Sequence, residues 1–407
     1  MRLLIAAEHF PSHFKGYVDA QAAQFVEMGA NVSFVALGRW WPTVDPRLAA
    51  VLPNPSIQYL PESPSRPASL ARALSRAAGS PFRTVRLIRR LADAYGWRRR
   101  TLGDAVRGVI LGAPDVDVCL VHDLSTLVVM RTLPAALPGV PIVLWYHGGE
   151  VPGSRPLPPD EVAAVLPHVA RVITNTEWSA RHLAARGMPV EKIHVHRLGL
   201  DVDDFPRIAD RTFLPDGVLR LLFVGRLSLE KGLFDALEAL AQLDEEARAR
   251  VHLRIVGRGF VENELAEAAK ALGVERSVTF VGHVERSQLN GEFAGADVLL
   301  LPSRPVEGCE ENQGMVVQEA MLTGLPVLTT AVGGLPEVVP QSLRELQPPP
   351  EDPTQLRERI LELAGFSPAH WQQLSTDASD YAREHFEMER VTRPVFEHLS
   401  ALAGGGH

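Results

Sequence analysis

The sequence predicts an α/β protein of two doubly wound halves, each a parallel sheet with helices on both faces. Three observations predict it. At 407 residues the chain is long enough for two domains of about 200, each with its own core. Short apolar runs alternate with segments of helical spacing, and this alternation occurs twice, before and after about residue 205. The apolar runs end in polar or glycine-bearing turns, as strands that feed ligand loops at their carboxyl ends do. The boundaries drawn are 1–205, 206–385 and a C-terminal helix over 386–407, expected to pack back on the first half.

In the first half, Leu3–Ala7 reads as a strand, followed by a loop over His9–Gly16 and a helix over Asp19–Met28 that Gly29 ends. Asn31–Leu37 is a second strand, so the chain opens as a Rossmann-like half. Strands resume at Val116–Val121, Pro141–Trp145 and Arg171–Thr174, ending in His122-Asp123, in His147-Gly148-Gly149-Glu150 and in Asn175-Thr176. His147, before paired glycines at a strand's carboxyl end, is a candidate site residue. Trp178–Arg186 reads as a helix and Lys192–His196 as a strand, and Leu198–Pro206 as a linker without periodicity.

The second half begins with strand Leu219–Val224, the loop GRLSLEKG and a helix over Leu233–Leu243. Strand Val251–Val256, helix Val261–Leu272, strand Ser277–Val281, helix Arg286–Gly295 and strand Asp297–Leu301 follow. Next come the stretch Glu311–Gly324, strand Pro326–Thr330 and the loop over 331–339, AVGGLPEVV. Gly257 and Gly259 lack the third glycine of a dinucleotide fingerprint and carry little weight. Helices over Thr354–Leu363, Pro368–Glu384 and Glu389–Leu402 close the chain.

Composition narrows the function. Apolar content of 46% and charged content of 22% are ordinary for a globular protein. A net charge of −8 gives no global basic excess for nucleic acid. Cys119 and Cys309 are far apart, without ligand spacing, and read as free thiols of a reducing cytoplasm. No apolar run reaches the roughly 18 residues of a membrane span, and the N-terminus reads as a first strand rather than a signal peptide. The segment Arg66–Arg107 departs from the rest: eleven arginines face only Asp93 and Asp104, with Leu87, Ile88, Leu91, Tyr95 and Trp97 among them. It is either a solvated helical face or a basic amphipathic patch for an anionic membrane surface or phosphate-bearing acceptor. The protein is therefore expected to be cytoplasmic, with a peripheral inner-membrane location as the variant.

The chemistry concentrates in two stretches. Only four of the 41 basic residues are lysines, and one of them, Lys231, stands five residues after Arg226 beyond a strand end. Two fixed cations there suit a diphosphate, the arginine as a fork and the lysine as a point charge. In ENQGMVVQEAMLTG, Glu311 and Glu319 are separated by seven residues, and Gly314 stands where a strand-to-helix turn tightens. A helix start with free N–H groups suits a phosphate, whereas carboxylates repel phosphate and suit hydroxyls. Phosphate and polyol together describe a nucleotide-sugar. The DVD triplets at Asp115–Asp117 and Asp201–Asp203 invite a metal reading, but one opens a strand and the other lies in a linker, so no metal is expected.

GRLSLEKG, the Glu311–Glu319 pair with EAMLTGLPVLTT and VGGLPEVV behind it, and ITNTEWSARHL with VHRLGLDVDDF resemble family 4 of the retaining glycosyltransferases, most closely over roughly 170–340. The resemblance implies the GT-B architecture, two Rossmann-like domains facing across a cleft, with an N-terminal acceptor domain and a C-terminal donor domain. It implies that Arg226 and Lys231 hold the donor diphosphate and stabilise the leaving group, beside Gly225. Glu319 would read the ribose and Glu311 the donor sugar, with backbone groups at Gly314, Met315 and Val316 touching sugar or phosphate. His147 matches a histidine near the donor sugar, Gly16 a loop near the phosphate, and Gly282, His283 and Val284 would lie beside the base. Two departures stand out. The usual paired glycines of the first loop are replaced by PSHFKGY, and EGCEE at 307–311 adds acids; Glu311 is preferred over Glu307 because only it gives the seven-residue gap.

The implied reaction moves a hexose from a nucleoside diphosphate to a hydroxyl of a glycan, glycolipid or lipid-linked acceptor, as in cell-surface polysaccharide synthesis. It retains anomeric configuration and needs no metal or other cofactor. The alternatives are a nucleotide-sugar epimerase on the same architecture, distinguishable by donor isomerised without acceptor, and a non-catalytic nucleotide-sugar-binding scaffold.

Overall fold

The computed structural model describes residues 1–11, 16–39, 42–96, 99–148, 157–209, 211–306 and 309–405. The first sheet contains β1 (Arg2–Ala6), β2 (Asn31–Ala36), β3 (Ser56–Tyr59), β4 (Val118–His122), β5 (Ile142–Tyr146), β6 (Arg171–Thr174) and β7 (Ile193–Val195). Its order is β3-β2-β1-β4-β5-β6-β7, every pair parallel. The second contains β8 (Leu219–Val224), β9 (Val251–Val256), β10 (Val278–Gly282), β11 (Val298–Leu301) and β12 (Val327–Thr329) in the order β10-β9-β8-β11-β12, also parallel. Both are doubly wound, with the order reversing beside β1 and β8, where ligand crevices form. The two-sheet α/β architecture is the one expected.

Strands covered on both faces read as unbroken apolar runs; β4 (VCLVH) and β5 (IVLWY) are buried at every position. Alternation sorts side chains between faces. Leu3 and Ile5 of β1 face one core with Phe25, Phe34 and Trp145, while Leu4 and Ala6 face another with Leu87, Leu91 and Ile110. A third core fills the second domain.

Seven of the expected helices are present with ends shifted by a few residues: Gly16–Glu27, Glu177–Ala185, Leu233–Ala241, Glu262–Ala271, Pro353–Ala364, Pro368–Phe386 and Met388–Gly404. Several short elements escaped the sequence reading, the helices Leu124–Val129, Pro159–Val165 and Gln341–Arg344 among them, and two show why. β3 is short and only half-buried, and the helix Pro46–Val51 buries a single side chain, Leu48; neither carries enough periodicity to be seen. The segment expected as a helix over Arg286–Gly295 is a 3₁₀ turn, Arg286–Gln288, continued by the helix Leu289–Ala294.

The arginine-rich segment forms three helices, Pro67–Gly79, Pro81–Tyr95 and Arg99–Leu111. Pro67 and Pro81 sit in the first turns, where a missing N–H costs nothing. The interleaved Leu87 and Leu91, read as part of an exposed patch, are in fact core, which corrects that reading. Several arginines are structural too: the Arg107 guanidinium donates to the carbonyls of Pro61, Glu62 and Val129, and Arg131 pairs with buried Asp104. Both aspartates of the first DVD triplet, Asp115 and Asp117, face Arg2; in the second, Asp201 faces Arg47 at 3.3 Å, and the residue after the triplet, Asp204, faces the same arginine at 3.1 Å.

The last helix, Met388–Gly404, returns to the first domain. Leu200 and the Phe386–Met388 segment exchange backbone hydrogen bonds of 2.8 and 3.0 Å, and Val395 and Leu399 enter the core under β1 and β4. His398 on this helix meets β7: its Nδ1 lies 3.1 Å from His196 Nε2, and its ring 4.9 Å from that of His194. Burial first, then His398 and His194, holds the His196 imidazole down at about 4. The unfolded chain therefore binds more protons than the folded one between pH 6.5 and 4, and stability is lost as pH falls through that window. Asp19, pushed up to about 7 chiefly by burial, slopes the opposite way, so the histidine contribution is read by difference. Relative to the parent, His196→Leu is expected to lose about 2 kcal/mol less unfolding free energy as pH falls from 6.5 to 4.5, read from urea melts with solvent screening allowed for.

Candidate functional site

The two cations singled out in the sequence lie directly beyond β8. Arg226 follows Gly225, and Lys231 closes the 3₁₀ turn Leu229–Lys231. The Arg226 guanidinium donates to Glu230 Oε1 at 2.9 Å and to Ser228 Oγ at 3.4 Å, and Ser228 Oγ donates to the same carboxylate oxygen at 2.6 Å. Glu230 is buried, yet these donors and the two cations outweigh desolvation and hold its carboxyl below the usual range. Arg226 is thus aimed by an acid inside its own loop. Gly257 and Gly259 have a packing role here: a Cβ on either would fall 1.8 Å from Gly225 O or 2.0 Å from Leu227 O. They let the β9 loop press against the cation loop, with Leu227 N donating to Arg258 O at 2.9 Å.

Glu311 is brought to Lys231. The ammonium donates to Glu311 Oε2, and Ser303 Oγ lies 3.4 Å from the same oxygen. Gly314 caps the following helix, Met315–Leu322, in the left-handed conformation (φ 59°, ψ 66°) that glycine adopts freely. Met315 and Val316 begin that helix, whose first N–H groups have no intrahelical carbonyl partner and no side-chain cap. One turn on, Glu319 is buried, and burial pushes its carboxyl up against the opposing pull of Arg286 at 3.4 Å. Arg286 also reaches Asp204 at 3.4 Å. Beyond β10, His283 stands exposed 3.8 Å from Glu285, and Val284 packs against the core.

The loop between the glutamates also docks on the first domain. Asn312 Nδ2 donates to the His147 carbonyl at 2.6 Å, and its Oδ1 accepts from Thr176 Oγ1 at 2.6 Å and Ser179 Oγ at 2.5 Å. Gln313 exchanges two hydrogen bonds of 2.8 Å with the Leu198 backbone. Glu337 accepts from Glu177 N and Trp178 N, at 2.7 and 2.8 Å, at the start of a helix where a carboxylate is favoured. The motifs ITNTEWSARHL and VGGLPEVV therefore meet across the domain boundary.

His147 lies just beyond β5 with both ring nitrogens engaged. Trp145 Nε1 donates to Asn175 Oδ1 at 2.7 Å, which turns the Asn175 amide so that Nδ2 faces His147 Nδ1 at 3.3 Å. That assigns the proton to His147 Nε2, 2.9 Å from His122 Nδ1. Tyr17 covers the ring at 4.5 Å, one residue after Gly16 at the start of its helix.

Arg226, Lys231, Glu311, Gly314 and Glu319 thus converge on loops at the carboxyl ends of the second sheet, with His147 brought beside them through Asn312. Residues 12–15 of the PSHFKGY loop and Glu307 lie outside the described residues. Of the added acids, Glu310 accepts from Gly333 N at 3.1 Å and so holds the glycine loop. Sequence reasoning missed Asn312, Gln313, Glu230 and Arg286, and noted Asn175 and His122 only as polar strand ends without giving them a role. The first two lie inside ENQG, where a polar, uncharged pair between two glutamates gave the available signal.

Two parallel doubly wound domains with a cation-and-carboxylate loop set between them define a GT-B architecture. The chain matches the sequence profile of glycosyl transferases group 1 over residues 204–384 and that of glycosyltransferase family 4 over residues 16–204. It belongs to glycosyltransferase family 4. WcaL of Escherichia coli (strain K12), provisionally assigned to colanic acid biosynthesis, is 33% identical over 235 residues, 55% of each chain. D-inositol 3-phosphate glycosyltransferase 1 of Catenulispora acidiphila is 29% identical over 75% of this chain and 77% of its own. The chain thus aligns with about half the length of WcaL and three quarters of the second relative. Anabaena HepE, solved with UDP and glucose, superposes with a TM-score of 0.68 at 18% identity over 98% of this chain and all of that one. Sucrose-phosphate synthase of Thermosynechococcus elongatus gives 0.70 at 16% identity over 99% of both. These likenesses share the fold.

Proposed function

We propose that the protein transfers a hexose from a nucleoside-diphosphate sugar to a hydroxyl of a glycan or lipid-linked acceptor in polysaccharide synthesis, with retention at the anomeric carbon. The observation that carries this reading is the Arg226–Lys231–Glu311 constellation beside a helix start, with Glu319 one turn into that helix. Arg226 and Lys231 neutralise the diphosphate, so no metal is required. The bond from the anomeric carbon to the diphosphate oxygen breaks, and the acceptor oxygen bonds to the same face. The acceptor proton passes to a phosphate oxygen of the leaving group. Glu311, tied to Lys231 and Ser303, reads sugar hydroxyls rather than acting as a covalent nucleophile, so a two-carboxylate hydrolytic scheme does not apply. Glu319 reads the ribose, and His147 approaches the sugar with its ring fixed by Asn175 and His122. Relatives named for colanic acid and amylovoran biosynthesis support a polysaccharide acceptor.

The test is incubation with a panel of nucleoside-diphosphate hexoses and lipid-linked acceptors, in buffer with chelator, followed by NMR of the product linkage. An axial product from an axial donor, formed without metal, is expected. Isomerised donor with no acceptor consumed would favour the epimerase.

We also propose that the helices over 67–111 rest on an anionic membrane surface. Leu74, Phe82, Val85 and Leu102 are 71, 85, 65 and 65% exposed, and arginines 66, 72, 76, 83, 86, 89 and 90 are exposed around them. Apolar tips among cations fit an interfacial seat. No helix among the described residues is long and apolar enough to cross a membrane. Phe82→Ser is expected to weaken sedimentation with phosphatidylglycerol vesicles several-fold, and equal sedimentation of the variant would overturn the assignment.

A further inference from the structure

A cleft of about 720 Å³ opens on the second domain, away from the donor loops. Arg226, Lys231 and His283 follow the carboxyl ends of their strands, whereas this cleft is entered beside the amino ends of β9 and β10, at Arg248 and Arg276. Its floor is a polar face of β8 and β9 carrying Arg220, His252 and Arg254, and the helix Leu289–Ala294 forms one wall. A volume of this size is that of a small-molecule site.

The cleft's charge is unbalanced. Arg254 is committed to Glu292 by a fork with distances of 2.6 and 2.9 Å. Arg220 is committed to Asp216 at 2.6 Å and approaches Asp297 at 3.7 Å. His252 bonds Thr279 at 2.9 Å, and burial, then Arg254, holds its imidazole below the usual range, towards the neutral form. Arg248 and Arg276 make no ion pair and no side-chain hydrogen bond among the described residues. Ser277 Oγ donates to Arg248 O at 3.5 Å, which ties the two rims together. Four guanidinium groups therefore line the space against one lining carboxylate, and two of them have unused forks. This occurs in a chain whose net charge is −8, so the cleft is not an extension of a generally basic surface. Paired forks in a concave site match the oxygens of a phosphate, with strength and direction that single ammonium groups lack.

We propose that this cleft is a second ligand site, separate from the donor site, for a small molecule bearing a phosphomonoester, held by Arg248 and Arg276. Gly291 supplies a way to close it. It lines the cleft, and a Cβ built there meets nothing within 4 Å, so a larger side chain fills space without displacing the fold.

The test uses calorimetric titration of the full chain with glucose 1-phosphate, in a Lys231→Ala background that weakens phosphate binding at the donor loops. Saturable binding is expected there. It is expected to fall at least tenfold on adding Arg248→Ala with Arg276→Ala, and to be lost on adding Gly291→Leu, with thermal melts reporting that each variant is folded. Absence of saturable binding in the Lys231→Ala protein overturns the proposal, as does binding unchanged by both sets of substitutions. Binding of anionic vesicles or of an acidic polysaccharide through Arg248 and Arg276, without binding of glucose 1-phosphate, overturns it as well.

Discussion

Lys231→Ala is expected to lower kcat by about 10³ and to leave the melting midpoint almost unchanged. The leaving diphosphate gains charge as the sugar bond breaks, and a cation aimed at that charge contributes more in the transition state than in the bound donor. A thousandfold loss corresponds to about 4 kcal/mol, in the range found when one such stabilising group is removed. The fold survives because the ammonium is not a core group: its partner is Glu311, and both side chains keep a path to solvent. Glu311 then loses its counter-charge, so donor KM is expected to rise as well. Steady-state kinetics on the variant, with urea melts, checks both halves. Near-wild-type turnover would remove Lys231 from the leaving-group role. Lys231→Arg is expected to recover only part of the loss, since a planar fork does not reproduce a compact point charge.

Lys231 was legible in the sequence for a physical reason: arginine is this chain's default cation, so a lysine retained five residues beyond Arg226 carried information. The strands were legible for another. Buried parallel strands must be apolar on both faces, and VCLVH, IVLWY and VLLL announce themselves. What the sequence did not disclose depends on contacts between distant segments. Asn312 works through Thr176, Ser179 and His147, more than 130 residues away, and no local pattern foretells that a polar loop residue will be buried. Glu230 looked like one acid in a helix-start loop, yet it aims Arg226. The arginine-rich helices divided in a way that periodicity alone did not resolve. Leu87 and Leu91 went to the core, whereas Phe82 and Val85, on the same helix, went to the surface.

Gly232→Ala is expected to cost about 3 kcal/mol or more and to abolish activity even in the folded fraction. Gly232 adopts φ 69° and ψ 19° immediately after Lys231, and a Cβ there would fall 1.7 Å from the carbonyl oxygen of Pro302. Two costs add. The left-handed backbone costs an alanine about 1 kcal/mol. The overlap cannot be relieved by a rotamer, because the obstructing atom is backbone, so the cation loop or the segment after β11 must move. Either shift separates Lys231 from Glu311, which stands on the Pro302 side of the site. Gly273 isolates the first cost, so the difference between the two variants gives the second. It has the same φ of 69°, yet a Cβ there meets nothing within 4 Å. Gly273→Ala is therefore expected to cost about 1 kcal/mol, within the ordinary price of a left-handed alanine, and to leave kcat unchanged. Urea melts and kinetics on both variants measure the difference. Equal destabilisation by the two substitutions would mean that the Lys231 loop yields to Pro302 without resistance, and that the close packing of the two loops does not hold the cation in place.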